Sequence, residues 1–245
     1  MLKIFAYPLS LIYFVFFGLT LVIFHPIQWI SIHVIGYQAH KKSVDYLNLG
    51  LMACMHILGT RYSFKNAFDI PKGKPIIIVS NHQSMNDIPP IIWFLRRHHP
   101  KFISKKELGK GIPSVSFNLR HGGSVLINRK DPRQSIKAIS DFADRIDQNN
   151  WAAVIFPEGT RSRDGNPKPF KRKGLETLMN KIPEAIVVPL SIENSWKTLI
   201  YGKFPMGLGA HIKLMVHQPQ TIKADKLSQQ IDQIEKQIHD QISHS

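Results

Sequence analysis

A histidine and an aspartate five residues apart, His82 and Asp87, are the side chains in this sequence best suited to proton transfer. A histidine takes up and returns a proton near neutral pH, and a neighbouring carboxylate fixes its tautomer and stabilises its charged form. Because positions i and i+5 do not share a helix face, we expect His82 in a turn and Asp87 at the start of the helix that follows. Pro89 and Pro90 suit such a start. The alternative is a capping aspartate and an unrelated loop histidine.

A second candidate group follows the predicted strand Trp151–Phe156. Its residues are Glu158, Gly159, Thr160 and Arg161. Glycine lets a backbone approach a ligand closely, and threonine and arginine side chains donate hydrogen bonds that suit phosphate oxygens. Further basic residues follow this turn: Arg163, Lys168, Lys171, Arg172 and Lys173. The pattern predicts a phosphate site, and a solvated basic loop is the alternative.

Arg129 is the third candidate, because it follows the glycine pair at 122–123 and the predicted strand Ser124–Asn128. The carboxyl ends of parallel strands open onto one crevice, so we expect the three groups to meet there. Together they could activate a hydroxyl and hold a phosphate. A covalent route through Ser80 or Ser84 is conceivable, although neither serine lies in a nucleophile elbow. A surface arginine is the alternative for Arg129.

Predicted strands and helices alternate from Lys74 onward, which argues for an α/β fold with a mostly parallel sheet flanked by helices. The predicted strands are Ile76–Ser80, Lys101–Lys105, Ser124–Asn128, Trp151–Phe156, Ala185–Ile192 and His211–His217. The predicted helices are Asp87–His99, Glu107–Arg120 with a break at Gly111 and Pro113, Pro132–Gln148, Lys173–Asn180 and Lys226–Ile242. Pro189 predicts an edge strand or a bulge. The apolar stripe of the last helix predicts docking on the domain, with a coiled-coil dimer as the alternative.

The N-terminal segment Ile4–Phe24 is apolar and uncharged, and about 20 such residues suffice to cross a membrane. We expect Pro26 to end this helix, and the shorter apolar stretch Leu47–Leu58 to lie in the interface or pack against it. A signal peptide is the alternative, although the run is long for one. Basic residues after the first helix predict a cytoplasmic domain. The predicted divisions are membrane-anchoring helices at 1–60, an α/β domain at 61–222 and an amphipathic helix at 223–245.

The balance of charge predicts an anionic partner, because the 245 residues include 32 Lys and Arg against 17 Asp and Glu. The resulting net charge is +15, which suits nucleic acid, anionic membranes or phosphorylated substrates. A single cysteine, Cys54, excludes a disulfide framework and a cysteine-based zinc site. A basic membrane-anchored protein that binds anionic lipid or nucleic acid is the non-enzymatic alternative. It does not explain a His–Asp pair and an arginine-bearing turn at successive strand ends.

Four blocks together resemble the glycerolipid acyltransferase superfamily, specifically the 1-acyl-sn-glycerol-3-phosphate acyltransferases. The blocks are Asn81–Asp87 (Asn-His-x-x-x-x-Asp), Gly123–Arg129, Phe156–Ser162 (Phe-Pro-Glu-Gly-Thr-Arg-Ser) and Val188–Leu190. They occur in the family's order between Pro75 and Ile192. The first and third blocks are specific, whereas the second is moderately so and the fourth is weak. Many members carry an aspartate where this chain has Asn128, which weakens any role for that side chain.

The resemblance implies transfer of a fatty acyl group from an acyl-CoA or acyl-carrier-protein thioester to the 2-hydroxyl of 1-acyl-sn-glycerol 3-phosphate, giving phosphatidic acid. It implies that His82 is the general base and that Asp87 orients it. The implied phosphate-binding residues are Arg129, Glu158, Gly159, Thr160 and Arg161. Asn81 and Lys105 are expected to support the site, with Lys105 a candidate for stabilising the oxyanion.

The implied partners are membrane lipids and acyl-CoA or acyl carrier protein, with no nucleic acid and no metal or other cofactor. Another lysolipid or glycerol 3-phosphate remains the alternative acceptor. If the chain is bacterial, we expect it at the cytoplasmic face of the inner membrane. The sequence leaves acyl-chain preference and oligomeric state open, and it does not decide between a membrane-spanning helix and a monotopic hairpin of the two N-terminal segments.

Overall fold

The computed structural model describes residues 2–243 and consists of an eight-stranded sheet, flanking helices and two long N-terminal helices. The α-helices are α1 (Leu2–Ile30), α2 (Tyr37–His56), α3 (Ile88–Phe94), α4 (Val115–His121), α5 (Pro132–Asn149), α6 (Arg172–Lys181) and α7 (Leu227–Ser243). The strands are β1 (Arg61–Lys65), β2 (Ile76–Ser80), β3 (Pro100–Lys105), β4 (Val125–Ile127), β5 (Ala152–Ile155), β6 (Ile186–Glu193), β7 (His211–Val216) and β8 (Gln220–Thr221).

The sheet is mostly parallel, as the alternation of elements predicts. Its order is β1-β7-β6-β2-β5-β3-β4, and β8 pairs with β6. Strands β6, β2, β5, β3 and β4 run in one direction, whereas β7 is antiparallel to β6 and β1 is parallel to β7. The carboxyl ends of those five strands therefore lie at one edge, where open α/β sheets usually bind ligands.

Strand β2 lies in the middle of this sheet and is buried on both faces. Its Ile77 and Val79 pack into the apolar cluster that contains residues of α5, α6 and α7. Ile76 and Ile78 alternate with them and pack on the opposite side, beside Ile91 of α3. Burial on both faces is why this strand is a continuous apolar run rather than an alternating pattern.

The C-terminal helix α7 docks on the α/β domain. Ile231, Ile234 and Ile238 are fully buried in the cluster that contains Ile77 of β2. Their spacing places one apolar stripe against the sheet. The prediction of a docked terminal helix is confirmed.

The N-terminal helices α1 and α2 form a hairpin with two different surfaces. Tyr13 of α1 packs with Cys54 of α2, and Leu21 packs with Leu47 and Leu51. The second apolar segment therefore packs against the first helix, as expected. The remaining face of α1 exposes large apolar side chains, among them Phe5, Leu11, Val15 and Val22. The segment Lys3–Ile35 is long and apolar enough to cross a membrane.

The prediction that Pro26 ends the first helix is wrong. Helix α1 continues through Pro26 to Ile30, and a π-helical turn, Ser31–Ile35, follows before Gly36 at φ +116°. Proline has a φ compatible with the helix and removes one backbone donor, which a long apolar helix with many remaining hydrogen bonds tolerates.

Pro189 does not mark an edge strand, because β6 is flanked by β2 on one side and by β7 and β8 on the other. Strand β6 pairs with β8 up to Val187 and with β7 from Leu190 onward. Between these two ladders, the carbonyl of Pro189 accepts the N–H of His217 at 2.9 Å. The missing proline N–H thus falls in the gap between the two partner strands, where it costs no ladder hydrogen bond.

Two predicted helices are shorter than expected. The stretch Asp87–His99 contains α3 between two 3₁₀ turns, and only the last part of Glu107–Arg120 is α-helical, in α4. The predicted break at Gly111 and Pro113 is confirmed, because both residues lie before α4, where glycine and proline disfavour a continuous helix. Strands β1 and β8 were not predicted.

Candidate active site

His82 and Asp87 form a hydrogen-bonded pair at the carboxyl edge of the sheet. His82 lies in the loop after β2, and Asp87 ends the 3₁₀ turn Met85–Asp87 that leads into α3. The distance between His82 Nδ1 and Asp87 Oδ2 is 2.7 Å. A carboxylate at this position selects the tautomer that carries its proton on Nδ1. The lone pair of the imidazole is then on Nε2, where it can accept a proton from a substrate hydroxyl.

Asp87 is held by several further donors and is fully buried. Its Oδ2 accepts the backbone N–H groups of Gln83 at 2.8 Å and Ser84 at 3.0 Å. Its Oδ1 accepts the hydroxyl of Ser195, which follows β6. Hydrogen bonds from several donors stabilise a carboxylate and fix its orientation. Asp87 is therefore a rigid partner for His82.

The loop that carries His82 is anchored to the sheet by Asn81. Its side-chain amide donates to the carbonyl of Ile192 at 2.8 Å and accepts the N–H of the same residue at 2.8 Å. The imidazole of His82 stacks on Phe156, with ring centroids 4.2 Å apart and an angle of 17° between the rings. Asn81 thus supports the site through the backbone, and Phe156 supports it by holding the ring plane.

The turn after β5 is clamped to the same loop. Glu158 Oε1 accepts the backbone N–H of His82 at 2.9 Å, and the N–H of Ser162 donates to the carbonyl of His82 at 2.8 Å. These two hydrogen bonds set the distance between the histidine and the arginine-bearing turn. Glu158 is almost fully buried, and its hydrogen bond to His82 helps to hold this turn in place.

Burial also displaces the titration of the Glu158 carboxyl group. Burial raises the pKa of Glu158 to about 7, and the charge of Asp87 adds to the rise, whereas hydrogen bonds from the backbone N–H groups of His82 and Lys168 oppose it. These hydrogen bonds do not replace all of the hydration that the buried carboxylate loses. Glu158 is therefore poised to gain or lose a proton near neutral pH.

Arg161 and Arg129 bring positive charge to the histidine. Arg161 Nε lies 3.4 Å from His82 Nε2, and Arg129 Nη1 donates to the carbonyl of Gly159. Burial lowers the pKa of both guanidinium groups, and the charge of Arg161 adds to the effect on Arg129. Arginine remains charged at physiological pH despite such shifts. The structure thus brings both predicted arginines to the turn beside His82.

The middle of the turn needs a glycine. Gly159 has φ +69°, and a Cβ atom there would lie 3.1 Å from Cδ of Lys171. A glycine avoids both the left-handed strain and this close contact. The next residue, Thr160, is exposed, and its hydroxyl accepts a hydrogen bond from Lys168 Nζ at 3.3 Å.

Lys105 and the two serines complete the predicted set. Lys105 ends β3 at the same edge of the sheet and its side chain is exposed. Ser80 and Ser84 are fully buried, which argues against the covalent serine alternative because a nucleophile has to reach its substrate. Across residues 2–243, no group of three or more His, Cys, Asp or Glu side chains is arranged to hold a metal ion.

Comparison with known proteins decides the family. The Acyltransferase family matches residues 61–193, which include the histidine loop, the strand before Arg129 and the arginine turn. The chain belongs to this family. The family resemblance predicted from the four sequence blocks is therefore confirmed.

Curated relatives of this acyltransferase match about half of its length. A 1-acyl-sn-glycerol-3-phosphate acyltransferase of Helicobacter pylori is 37% identical over 125 residues, which are 49% of this chain and 49% of the relative. The corresponding alpha enzyme of Ovis aries is 29% identical over 131 residues, which are 54% of this chain and 45% of the relative. The chain thus spans about half the length of these curated relatives.

A solved structure extends the likeness in fold to the whole acyltransferase chain. The 1-acyl-sn-glycerophosphate acyltransferase PlsC of Thermotoga maritima superposes with a TM-score of 0.81 at 22% identity, covering 100% of this chain and 97% of the other. At this identity the likeness concerns the fold, including the N-terminal helices.

One residue that contacts the predicted pair was missed by the sequence analysis. Ser195 lies 108 residues after Asp87 and touches its carboxylate. The sequence carries one signal for it, because Ser195 follows the strand Ile186–Glu193, whose end lies at the edge that carries His82. A search of every predicted strand end for polar residues would have found it.

Proposed function

We propose that this acyltransferase moves a fatty acyl group from a thioester to the 2-hydroxyl of 1-acyl-sn-glycerol 3-phosphate, and that phosphatidic acid is the product. The observation that carries the proposal is the pair His82–Asp87, joined at 2.7 Å beside Arg161. The names of the relatives support the choice of acceptor. Another lysolipid or glycerol 3-phosphate is the alternative acceptor.

The proposed chemistry begins at His82 Nε2. The substrate hydroxyl gives its proton to Nε2 while its oxygen attacks the thioester carbonyl, and Asp87 stabilises the resulting imidazolium. The tetrahedral intermediate then expels the thiolate, which takes the proton back from the imidazolium. General base catalysis of this kind contributes about 10²–10⁴-fold. The scheme needs no metal and no other cofactor.

Arg161 and Arg129 are the proposed ligands of the acceptor's phosphate. The Arg161 Nε–H group faces the histidine nitrogen that the scheme requires, at 3.4 Å from Nε2. A bound phosphate would draw this guanidinium away, because a charge-assisted hydrogen bond to phosphate is stronger than one to a neutral imidazole. Phosphate binding would thereby free Nε2 for the hydroxyl. Gly159 and Thr160 would border the phosphate, while Glu158 holds the turn in place through the N–H of His82.

The oxyanion of the tetrahedral intermediate also needs hydrogen-bond donors. Lys105 is the proposed contributor, because it is exposed at the end of β3, on the edge that carries His82. Donors that are already in place when charge develops contribute most to such catalysis.

The N-terminal hairpin is the proposed membrane anchor. Its exposed apolar face on α1 suits contact with the bilayer in which the acceptor and product reside. The surplus of basic residues suits anionic lipid headgroups, and their position after α1 supports a location on the cytoplasmic face. The proposed donors are acyl-CoA and acyl carrier protein thioesters.

The test is acyl transfer by the purified chain in detergent. Labelled 1-acyl-sn-glycerol 3-phosphate, a zwitterionic lysolipid, glycerol 3-phosphate and a monoacylglycerol would each be incubated with acyl-CoA or acyl carrier protein thioester. Phosphatidic acid from the first acceptor, with little product from the monoacylglycerol, supports the proposal. A preference for another acceptor contradicts the assigned acceptor, and no product from any acceptor contradicts the proposed activity.

A further inference from the structure

Ser195 joins the third strand end of the site to the carboxylate of Asp87. It begins the 3₁₀ turn Ser195–Leu199 that follows β6, and its side chain is fully buried. Its hydroxyl donates to Asp87 Oδ1, whereas His82 Nδ1 contacts Oδ2 of the same carboxylate. Each oxygen of Asp87 therefore has its own side-chain partner.

A second serine, Ser84, donates a hydrogen bond to Ser195. Ser84 Oγ lies 2.5 Å from Ser195 Oγ. A serine hydroxyl has one proton, and that of Ser195 is given to Asp87. The proton between the serines must therefore come from Ser84. The result is a directed chain from Ser84 through Ser195 to Asp87 Oδ1, while the other oxygen of Asp87 accepts the Nδ1–H of His82.

The backbone of the same turn is tied to the histidine loop. The N–H of Ser195 donates to Gln83 Oε1 at 3.0 Å, and the side-chain amide of Asn86 donates to Thr198 Oγ1 at 2.8 Å. The turn Ser195–Leu199 is thereby locked onto the loop that carries both His82 and Asp87. The hydroxyl of Ser195 is thus presented to Asp87 by a backbone that has little freedom to move.

We propose that Ser195 is a positioning residue for acyl transfer, which orients the Asp87 carboxylate so that Oδ2 stays in line with Nδ1 of His82. The inference rests on the proposed function, because it assigns Ser195 to the same proton transfer. Ser195 is too deeply buried to contact substrate, so it acts through Asp87. Hydrogen bonds to charged groups are the strong ones among side-chain hydrogen bonds, and a dyad of this kind depends on orientation.

Steady-state kinetics of Ser195→Ala provide the first test. Loss of a hydrogen bond to a carboxylate is expected to lower kcat about tenfold and to leave KM for both substrates within about twofold, since no substrate contact is removed. Ser191→Ala is the matched control, because Ser191 is an equally buried serine on β6 that contacts His217 at 2.6 Å rather than the site. Equal losses of kcat in the two variants would overturn the proposal.

The same change made in the Asp87→Asn background separates positioning from general packing. If Ser195 acts through the carboxylate, Ser195→Ala in that background is expected to lower kcat by less than about twofold further, because the coupled effects are not additive. A further tenfold loss would overturn the proposal. If the alanine variant does not fold, Ser195→Cys offers a similar shape with a weak donor and is expected to give the same pattern.

A spectroscopic readout keeps this inference distinct from the proposed reaction. In nitrogen-labelled chain without substrate, the hydrogen-bonded Nδ1–H proton of His82 is expected at low field and is assigned by its loss in His82→Ala. Ser195→Ala is expected to shift or broaden this signal, and Ser191→Ala is expected to leave it unchanged. An unchanged signal in Ser195→Ala would overturn the inference. Absence of acyl transfer by the wild type would instead contradict the proposed function.

Discussion

The carboxylate of Asp87 lies 2.7 Å from Nδ1 of His82 and accepts two backbone N–H groups on the same oxygen. The two residues are five positions apart, and a 3₁₀ turn between them makes the contact possible. The aspartate therefore does more than cap the turn. It also determines which nitrogen of the histidine is available at the edge of the sheet.

Replacing Asp87 by asparagine is expected to lower kcat by about 10²–10⁴-fold and to change KM little. An amide offers its N–H₂ or its carbonyl to His82, so it no longer selects the Nδ1–H tautomer or stabilises the imidazolium. Steady-state acyl transfer would measure this. The control is Asp144→Asn, since Asp144 lies in an exposed ion pair with Lys181 at 3.1 Å. Full activity in Asp87→Asn would contradict the assigned role.

Replacing Arg161 or Arg129 by lysine is expected to raise KM for the phosphorylated acceptor about tenfold or more, with a smaller effect on KM for the thioester. Lysine keeps the charge but loses the forked geometry that fits phosphate oxygens. The measurement is a comparison of the two KM values. Arg145→Lys, at an exposed position on α5, is the control. If both KM values rise equally, these arginines do not select the acceptor's phosphate.

Replacing Glu158 by glutamine is expected to flatten the dependence of stability on pH. The pKa of Glu158 is raised from 4.5 to about 7 in the folded protein. Between these values the folded chain retains a proton that the unfolded chain releases, so its contribution to stability falls as pH rises. Glutamine can keep the acceptor for the N–H of His82 without titrating.

Thermal unfolding of wild type and Glu158→Gln at several pH values from 4.5 to 7 would check this expectation. The wild type should lose more stability than the variant as pH rises across the window. Glu184→Gln, at an exposed position, should follow the wild type. Parallel curves for wild type and Glu158→Gln would show that burial does not displace this titration.

Adding charge to the exposed face of α1 is expected to weaken binding to liposomes. Leu11 and Val15 are 62% and 52% exposed, so Leu11→Asp with Val15→Asp leaves the packing of Tyr13 intact while placing charge where the bilayer would lie. Flotation with anionic liposomes measures the effect. The matched control carries the same two added charges on α7, as Gln229→Asp and Gln233→Asp. Equal flotation of the two variants would argue against α1 as the anchor.

The sequence was sufficient where local pattern and tertiary structure agree. The run at 76–80 is apolar because β2 is buried on both faces, and α5 begins at Pro132 and keeps its apolar side buried, as its periodicity predicts. Strand β1 was missed because Arg61 and Lys65 bracket only partly buried residues. Such a strand is recognised by its partner, β7, rather than by its own composition.

In the site, too, the sequence predicts contacts between residues close in the chain but not contacts that depend on strand pairing. His82 and Asp87 are joined by a turn that their spacing permits, and Arg161 follows a strand end that the apolar pattern marks. The contact between Ser195 and Asp87 depends on the pairing of β2 with β6. Neither segment alone predicts that pairing, so the contact between Ser195 and Asp87 could be found only in the folded structure.

The most direct test of the central claim is the activity of His82→Ala, measured with acyl thioester and labelled 1-acyl-sn-glycerol 3-phosphate in detergent. His56→Ala is the control, because His56 is an exposed histidine of α2 that contacts the carbonyl of Thr60. The account predicts a loss of about 10²–10⁴-fold in kcat for folded His82→Ala and nearly full activity for His56→Ala. Activity retained by folded His82→Ala would contradict the role of His82 as the general base.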